Sequence, residues 1–451
     1  MAEARTQNAT DLPEGFKMTE LGPLPEEWRV VRLREIVRAR KFTLNPRDCK
    51  DETFDYYSIP AYQKSNRPIL EKGAKIRSSK LLVEEGTVLF GKLNPRVPKV
   101  WLVEASERRK IASTEFIPLF PIKEMILSDF LYFLCWSHYM MARAQELVSG
   151  STPSRQRVDA EAFLQLPIPL PPLPEQRAIA YVLQTVQRAK EAMERVIAAL
   201  KELKKSLMKH LFTYGPVSLD QTDQVPLKET EIGPIPEHWD VVRLGGLCRI
   251  VRGSSPRPKG DPKFFSKQPT GIHWIKISDL TKYKKGPYIT TTDEFLTEEG
   301  KKKSRFLKRG TFVVTNSGTV GIPAFLGIDG CIHDGYLAFL DIETSRLYEF
   351  YLYYWVDNIK TYLEKIAPRG TQANLNTTIA KNLSIPLPPL PEQHKIARIL
   401  QTVDRKIEAE ENRKQALEAL FKTLLHHLMT AKVRVPNELL DRFEKEEGLW
   451  V

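Results

Sequence analysis

The nine-residue string IPLPPLPEQ occurs at positions 168–176 and again, without a change, at positions 385–393. Four of its nine residues are proline, which fixes the backbone φ angle and removes the N–H donor. We therefore expect the PLPPLP portion to be extended and stiff. Pro174 and Pro391 can each occupy the first turn of a following helix, where a missing N–H costs nothing. One stiff connector used twice predicts a chain built from two similar halves.

A second pair of matching segments supports this duplication. TELGPLPEEWRVVRL at 19–33 and TEIGPIPEHWDVVRL at 230–244 are identical at eleven of fifteen positions. Each proline string is followed by a helical pattern of about forty residues. These patterns end at LMKHLFT (207–213) and LLHHLMT (424–430). Each half therefore consists of a globular module, the proline string and a long helix.

Each module mixes strand-like and helix-like runs. GTVLFGK and GTFVVTN are rich in β-forming residues, whereas 127–148 and 346–366 have helical apolar spacing. We predict the α+β class: two globular α+β domains separated by two long antiparallel helices that form a coiled-coil spacer, with internal pseudo-two-fold symmetry. The predicted boundaries are 16–165 for the first domain, 166–213 for the first connector and helix, 228–382 for the second domain, 383–430 for the second connector and helix, and 431–451 for a C-terminal tail.

The long helices carry apolar residues at heptad spacing, the pattern of a coiled coil. Val182, Ala189, Val196 and Leu203 fill the second heptad position of the first helix, whereas the middle of the second helix, EAEENRKQ at 408–415, is polar. An alternative is that both are core helices of an ordinary domain. We predict that nine residues lie at the interface of the helix pair or of a partner: Ile179, Val186, Met193, Leu200, Leu207, Ile396, Val403, Leu417 and Leu424.

Composition predicts several domains and a polyanionic partner. A length of 451 residues exceeds one compact core, and 42% hydrophobic residues is ordinary for a globular protein. The net charge of +12 is clustered, because segment 249–310 has 16 Lys and Arg against 6 Asp and Glu, and segment 74–110 has 9 against 4. Clustered positive charge indicates a polyanion, although a solvated basic surface is the alternative.

Nothing in the sequence predicts a membrane or secreted protein. It has no run of about 18 apolar residues that could span a membrane. The first residues, MAEARTQNATDLPEG, lack the apolar core of a secretory signal. The four cysteines, Cys49, Cys135, Cys248 and Cys331, are far apart and form no CxxC pair. We expect a reducing, cytoplasmic location.

No catalytic motif is found in the sequence. The phosphate loop GxxxxGK[ST], the dinucleotide fingerprint GxGxxG, the HExxH zinc motif and the GxSxG nucleophile elbow are absent. Neither Asn45-Pro46 nor Asn94-Pro95 is followed by the Pro-aromatic pair that completes an amino-methyltransferase motif. The His426-His427 pair has no nearby acidic or cysteine partner, so we predict no metal site. The sequence indicates a binding protein rather than an enzyme.

Taken together, the duplicated module, the two PLPPLPEQ strings before long helices and the T-E-[IL]-G-x-[IL]-P-E-x-W segment before each module resemble one known family. This family is the specificity (S) subunit of type I restriction–modification enzymes. The resemblance covers nearly the whole chain, from about residue 16 to 432. The combined pattern is specific, whereas each string alone would not be.

This resemblance implies a division of labour within a larger complex. Each module would be a target recognition domain that reads one half of a bipartite, asymmetric site in double-stranded DNA. The two helices would fix the gap between the half-sites and dock two modification subunits, which bind S-adenosylmethionine and methylate adenine. Restriction subunits with ATP-driven translocation would complete the complex. S-adenosylmethionine, ATP and Mg are then expected on partner subunits, and no cofactor is expected in this chain.

The polar, Pro- or Gly-containing loops of the modules supply the candidate DNA contacts. Arg and Lys suit phosphates or guanine edges, and Asn suits adenine. The alternative for each residue is an ordinary solvated loop position. We assign the aromatic-rich segment 348–363 to the core rather than to base stacking. The candidates are Lys92, Asn94, Arg96, Lys99, Arg155, Gln156 and Arg157 in the first module, and Arg252, Ser254, Arg257, Lys259, Thr315, Asn316, Ser317, Thr319, Arg369, Gln372 and Asn374 in the second.

Three other functions stay open from the sequence. The chain could be the specificity subunit of a type II system whose partner fuses nuclease and methylase. It could also be a bivalent scaffold that holds protein partners and never meets DNA, although the basic clusters argue against this. RNA binding is a weaker third reading, because no RNP aromatic string is visible and two rigidly spaced modules suit a regular duplex better.

Overall fold

The structure is a computed structural model that describes residues 12–38, 42–150, 152, 155–269, 271–368 and 374–447. The chain divides into two compact units, and we call them unit 1 (Met1–Ala192 with Gln415–Val451) and unit 2 (Met193–Lys414). Each long helix contributes residues to both units. Among the described residues, no helix has the length and apolar character needed to cross a membrane.

Unit 1 contains a four-stranded and a five-stranded sheet with helices packed beside them. The first sheet has the order Val100–Leu102, Val88–Gly91, Phe116–Pro121, Val37–Arg38, and the second has the order Thr43–Leu44, Lys80–Val83, Lys110–Ala112, Thr53–Tyr57, Ile69–Lys72. Two-stranded pairs are Phe16–Thr19 with Gly22–Pro25, Arg29–Arg32 with Pro167–Leu170, and Val148–Ser149 with Arg157–Val158. Short helices are Leu33–Ile36, Ile59–Ser65, Ser128–Trp136, His138–Glu146 and Ala160–Leu164, with 3-10 turns at Pro46–Cys49 and Gly73–Lys75.

Unit 2 repeats this plan with a six-stranded and a five-stranded sheet. Their orders are Arg249–Arg252, Tyr336–Leu340, Phe312–Thr315, Pro323–Leu326, Tyr288–Ile289, Lys284–Lys285, and Phe265–Ser266, Glu294–Leu296, His273–Ile275, Gly330–Ile332, Arg305–Leu307. Two-stranded pairs are Leu227–Lys228 with Ile235–Pro236, and Asp240–Arg243 with Ser384–Leu387. Short helices are Ile277–Tyr283, Glu298–Lys302, Glu349–Asn358, Lys360–Ile366 and Thr377–Lys381, with 3-10 turns at Leu219–Gln224 and Leu244–Gly246. The predicted α+β class and the duplication are confirmed.

The proline string is extended and then helical, as its sequence predicts. Pro167–Leu170 and Ser384–Leu387 are strands. Each pairs with the strand that follows the Pro-Glu-x-Trp sequence of its own half, at 25–28 and 236–239. A two-stranded ladder tolerates proline, because its outer side needs no N–H donor. The long helices then run over Leu173–Tyr214 and Leu390–Met429. Pro174 and Pro391 therefore lie in the first helical turn, which confirms the prediction.

The string is also fastened into its module by two buried side chains. Trp28 Nε1 donates to Glu175 Oε2 at 2.7 Å, and Trp239 Nε1 donates to Glu392 Oε2 at 3.0 Å. These carboxylates also place negative charge at the positive end of each long helix. The two framing segments match in sequence because they build the same joint twice.

The neighbouring glutamine forms what we call the glutamine lock. In unit 1, Gln176 Oε1 accepts the N–H of Leu127 at 2.9 Å, and its Nε2 donates to the carbonyls of Met125 and Pro171, both at 2.9 Å. Gln393 in unit 2 makes the same three bonds, with the N–H of Tyr348 and with two carbonyls. Both side chains are fully buried, so each lock fixes the start of a long helix to a module helix.

The long helices are antiparallel within each unit. In unit 1, Ile179 and Leu183 from the start of the first helix share a core with Leu425 and Leu428 from the end of the second. In unit 2, the end of the first helix, including Leu211, shares a core with the start of the second. The helix ends are therefore core elements of the two units.

The predicted heptad register is wrong for part of the first helix. Val196 and Leu203 are 42% and 47% exposed, whereas Ile197 is 8% exposed and Lys204, not Leu203, turns inward. An α-helix has 3.6 residues per turn, so a buried face drifts away from a strict seven-residue repeat. Of the nine predicted interface residues, Ile179 and Ile396 are fully buried and the other seven are partly buried.

The polar middle of the second helix is linked by ion pairs. Glu411 contacts Lys201 at 2.7 Å, and Lys414 contacts Glu194 at 3.0 Å, so both pairs join the two helices. Glu410 is 3% exposed and pairs with Lys406 on its own helix at 2.6 Å. The sequence missed a further helix at the C-terminus, Asn437–Glu447, whose Phe443 packs against the Tyr181 ring in unit 1.

Candidate DNA interface

Strand polarity gathers three loops of unit 2 at one edge of the six-stranded sheet. Strand Arg249–Arg252 ends where Arg252 faces Leu337, and strand Phe312–Thr315 ends where Thr315 faces Tyr336. The loops that follow these two strands, 253–260 and 316–322, therefore emerge beside the turn that precedes Tyr336. Strand Phe312–Thr315 starts at the opposite edge of the sheet. The turn around Lys308, which comes just before this strand, therefore lies at that opposite edge.

The loop at 253–260 presents positive charge, and hydrogen bonds to Asp334 hold it in place. Arg257 and Lys259 are exposed, whereas Ser255 Oγ donates to Asp334 Oδ1 at 2.5 Å. The guanidinium of Arg252 donates through Nε to the Asp334 carbonyl at 2.7 Å. Ser254 is partly buried and donates to a backbone carbonyl at 3.2 Å. Arg252 and Ser254 therefore shape the loop that carries the two exposed cations.

Beside this loop lies an open cleft of about 910 Å³. Its lining combines Arg257, Lys259, Lys267 and Lys276 with Trp274, His333, Asp293 and Glu294. Burial lowers the pKa of His333; Asp334 opposes this shift, and Arg257, Lys259 and Lys276 reinforce it. His333 is therefore neutral at pH 7, and the positive charge of the cleft comes from lysine and arginine, which suit phosphate oxygens.

The second loop of unit 2 is built by residues that the sequence placed at the surface. Thr315 and Asn316 are fully buried, and Thr315 Oγ1 donates to the Thr319 carbonyl at 2.5 Å. Thr319 itself is exposed. Neither amide atom of the Asn316 side chain has a hydrogen-bond partner within the described part of the chain. Thr315 and Asn316 thus support the loop, and Thr319 is presented by it.

A bridge between Ser317 and Asn374 joins this loop to the segment before helix Thr377–Lys381. Both residues are partly buried. Arg369 and Gln372 lie outside the described residues, so their DNA contact stays a prediction.

Unit 1 presents the same pair of loops with different side chains. The corresponding bridge joins Leu93 to Arg157, and the N–H of Asn94 donates to the Gln156 carbonyl at 2.9 Å. Asn94 has φ of 49°, and Gly318 in unit 2 has φ of 70°, so both loops turn through the left-handed region at the same place. The structure therefore brings together the described parts of the two predicted segments of unit 1, 91–99 and 149–158.

The unit 1 candidates differ in how they are held. Lys99 is 4% exposed, and its ammonium donates to the carbonyls of Leu93, Asn94 and Val97 at 3.0, 3.3 and 2.6 Å. Burial lowers the pKa of Lys99. This placement contradicts the prediction of a DNA contact by Lys99, because its ammonium is used to bind three carbonyls of its own loop.

Other unit 1 candidates remain at the surface. Arg157 forms a bidentate pair with Glu115, with both shorter contacts at 3.0 Å. Arg96 and Arg155 are exposed, and Lys92 and Gln156 are partly buried. All three arginines are exposed; Arg157 is held by Glu115, and Arg96 and Arg155 are the ones that we place at the tip of the joined loops.

Sequence reasoning missed a basic cleft on unit 1. An opening of about 340 Å³ is lined by Arg38, Phe42, Arg108, Arg109 and Lys110, among others. Arg109 contacts Glu52 at 3.0 Å, and Phe42 is 57% exposed. The signal was present, because Arg108-Arg109-Lys110 closes the basic segment 74–110, but nothing local showed that this run lies near Arg38.

Three comparisons relate the chain to known proteins. The model of a family described as the type I restriction modification DNA specificity domain matches it twice, over residues 25–202 and 236–419. The putative type I restriction enzyme MjaX specificity subunit of Methanocaldococcus jannaschii is 26% identical over 435 residues, covering 94% of this chain and 97% of the relative. The type I restriction enzyme MjaVIII specificity subunit of the same organism is 26% identical over 436 residues, with 94% and 97% coverage.

A more distant relative and two solved structures agree. The type I restriction enzyme EcoBI specificity subunit of Escherichia coli is 25% identical over 248 residues, 51% of this chain and 50% of the relative. A chain solved in work on complex assembly and conformational transition of the type I R-M system has a TM-score of 0.57 at 22% identity, covering 91% of this chain and 99% of that one. The type I restriction–modification S subunit from M. genitalium has a TM-score of 0.55 at 14% identity, with 93% and 97% coverage. The structural matches establish the fold.

Proposed function

The chain belongs to the type I restriction–modification DNA specificity family, and from this membership we propose that it is the DNA-recognition subunit of a type I complex. Specificity subunits are the non-catalytic component of these systems. In the proposal, each unit binds one half of a bipartite, asymmetric DNA site. The chain also scaffolds two methyltransferase subunits and, in the full complex, the restriction subunits.

One observation carries the proposal: the same pair of bridged loops is built in both units from different residues. In unit 1 the tip carries Arg96 and Arg155, whereas the described part of the unit 2 loops carries Thr319. A shared backbone frame with different side chains is what two readers of two different half-sites require, because base identity is read by side-chain donors and acceptors. A chain that bound one symmetric site would need two similar tips.

Phosphate and base contacts are divided among these residues. Arg257 and Lys259 are exposed cations at the mouth of the unit 2 cleft, so we assign them to phosphates. Arg38 and Lys110 line the unit 1 cleft and take the same role there. The loop-tip residues Arg96, Arg155 and Thr319 are assigned to base edges. Lys92, Asn94 and the other partly buried candidates would position these tips.

The long helices take the role of a spacer in this proposal. Each helix starts at a glutamine lock, and ion pairs such as Lys201 with Glu411 join the helices between the locks. Such a pair can hold the recognition units at a fixed separation and offer its outer faces to the methyltransferase subunits. S-adenosylmethionine, ATP and Mg would be bound by those partner subunits, which supply the methyl transfer and translocation chemistry.

Genome methylation tests the proposed function directly. The chain would be co-expressed with its modification subunit in a host that lacks adenine methylation, and the genome would be sequenced by a single-molecule method that detects methyladenine. We expect one bipartite, asymmetric motif with a fixed gap. A continuous motif, or no methylation by an assembled and folded complex, would contradict the proposal.

Charge at the unit 2 cleft should set DNA affinity on every sequence. We expect replacement of Arg257 and Lys259 by alanine to weaken binding and to reduce the slope of log affinity against log salt by about one per lost phosphate contact. Fluorescence anisotropy over a salt series measures both. The matched control replaces Lys308 and Arg309, exposed cations at the opposite sheet edge, with alanine. Equal effects of the two double variants would show that the cleft does not face DNA.

A further inference from the structure

The ends of the two long helices dock at equivalent places in the two units but through different chemistry. The glutamine locks define the equivalence, because Gln176 bonds to Leu127 and Gln393 to Tyr348 in the same way. Lys204 follows Gln176 by 28 positions, and Phe421 follows Gln393 by 28 positions. Lys204 docks in unit 2, and Phe421 docks in unit 1. These two side chains are therefore structural counterparts of opposite character.

In unit 1 the docking place is an aromatic junction, which we define as Tyr132, Phe133, Gln187 and Phe421. The Phe421 and Phe133 ring centroids are 6.0 Å apart, and Phe133 is 1% exposed. Burial raises the pKa of Tyr132; Trp136 and Gln187 oppose this shift, and the charge of Glu191 reinforces it. The end of the second helix thus meets aromatic rings and the Gln187 amide, and this amide donates to the carboxylate of the exposed Glu191 at 3.2 Å.

In unit 2 the docking place is an ionic junction, which we define as Lys204, Tyr354, Asp357 and Asp404. Lys204 Nζ lies 2.9 Å from Asp404 Oδ1, 3.3 Å from Asp357 Oδ2 and 5.3 Å from the Tyr354 ring centroid. The Tyr354 hydroxyl donates to Asp404 Oδ2 at 2.7 Å. The Lys204 side chain is only 18% exposed. Burial would lower its pKa, but the two carboxylates raise it overall, so the ammonium stays charged.

The remaining members of the junctions also correspond by position. Gln187 and Asp404 each lie 11 residues beyond the glutamine of their lock. Phe133 and Tyr354 each lie six residues beyond the locked backbone position. The edge-on pairs Tyr132–Phe133 and Tyr353–Tyr354 have centroid distances of 5.1 and 5.0 Å, so the two module helices present their rings alike. The two junctions differ in charge at matching sites rather than in geometry.

We propose that the two junctions are pairing-specificity determinants: the ionic junction accepts the Lys204 end, the aromatic junction accepts the Phe421 end, and neither accepts the other. A lysine at the aromatic junction would meet Gln187 and Trp136 where unit 2 offers Asp404 and Asp357. Its ammonium would find no carboxylate at either of these two places, and the carboxylate that neighbours Gln187 belongs to the exposed Glu191 rather than to a half-buried side chain such as Asp404. A phenylalanine at the ionic junction would leave two half-buried carboxylates without the cation that pairs them.

This selectivity decides which halves of the chain associate. If two copies of the chain paired like half with like half, both ends would meet the wrong junction. The mismatch therefore favours pairing of the two halves within one chain over association with a second copy. The proposal does not depend on DNA binding, because it concerns only contacts inside unit 1 and inside unit 2.

Exchanging the two ends tests the proposal in the full chain without changing its composition. In the variant with Lys204→Phe and Phe421→Lys, each end meets the wrong junction in its own chain but fits the corresponding junction of a second copy. We expect amide protection in 200–214 and 417–429 to fall by at least about tenfold in the monomer. At higher concentration we expect a dimer. Hydrogen exchange by mass spectrometry and sedimentation velocity measure the two effects.

A control and a rescue complete the experiment. Lys205→Leu with Leu420→Lys makes a comparable exchange at the neighbouring exposed positions and should leave protection and mass as in the natural chain. Adding Phe133→Tyr, Gln187→Asp, Tyr354→Phe and Asp404→Gln to the end exchange moves the Tyr354–Asp404 pair with its lysine, leaves Asp357 in place, and should restore most of the protection and the monomeric state. An end-exchanged chain that is monomeric with natural protection would overturn the proposal. So would a rescue variant with no more protection than the end exchange alone.

Discussion

Replacement of Gln176 by leucine should lower the free energy of unfolding of unit 1 by about 3–5 kcal/mol, because three backbone groups lose their partners and each costs about 1–3 kcal/mol, not fully additively. These groups are the N–H of Leu127 and the carbonyls of Met125 and Pro171, each 2.9 Å from the Gln176 amide. Gln176 is fully buried, so solvent cannot take over these bonds in the folded chain. Leucine has a similar size, and the effect is therefore one of lost hydrogen bonds rather than of a cavity.

Hydrogen exchange measured during thermal unfolding reports the stability of each unit separately in this test. We expect the midpoint of unit 1 to fall by roughly 6–20 °C, while unit 2 keeps its own. Gln393→Leu should produce the mirror result, since its side chain makes the same three bonds in unit 2. Gln415→Leu, on an exposed face of the second long helix, is the control. A Gln176 variant as stable as the Gln415 variant would show that the lock does not hold the helix.

The lock also shows how far sequence reasoning could reach. Proline chemistry predicted an extended string and a helix that begins at the string, because both follow from local geometry. The partner of Glu175 could not be predicted in this way, since Trp28 lies 147 residues away along the chain. The repeat supplied an indirect signal: a framing segment and a string that recur together in both halves are candidates for one joint. No local pattern specified which atoms meet.

The helix register shows a different limit. A seven-residue repeat placed Leu203 in the interface, but the buried face follows 3.6 residues per turn and reaches Lys204 instead. Lysine at an interface contradicts the apolar pattern on which the prediction rested. It is stable there only because Asp357 and Asp404 arrive from other elements. Buried ion pairs of this kind depend on tertiary contacts and leave no trace in a single helix.

Residue type and loop chemistry predicted the candidate DNA contacts. They could not predict which of these side chains are exposed to solvent. Lys99 and Arg96 share one loop, yet Lys99 turns inward to three carbonyls and Arg96 turns to solvent. Conversely, Arg38 and Lys110 line one cleft although 72 positions separate them in the sequence. Charge clustering finds the general region, whereas strand pairing decides which cations meet.

Lengthening both long helices by one heptad should shift the DNA gap that the complex methylates. Seven residues would be inserted after Ala199 and after Ala416, so that Lys204 and Phe421 keep their junctions and the glutamine locks are untouched. At 1.5 Å per residue the helix pair gains about 10 Å, or roughly three base pairs at 3.4 Å each. The half-site bases should stay the same. Methylation at the native gap should fall roughly tenfold or more, because at least one unit is displaced from its bases.

Helical twist makes the two possible outcomes distinguishable. Three extra base pairs also turn the duplex by about 100°, whereas a helix pair turns far less over one heptad, so one unit would face away from its groove unless DNA untwists or a unit swivels. The assay measures methylation of substrates whose gap runs from the native length to four base pairs longer. We expect the lengthened variant to prefer a wider gap. We also expect it to methylate that substrate more slowly than the natural chain methylates its own site. Seven residues inserted after the exposed Leu219 lengthen the chain without lengthening either helix, and this control should keep the native gap. A folded variant with both helix insertions that still prefers the native gap would mean that the helices do not set the distance.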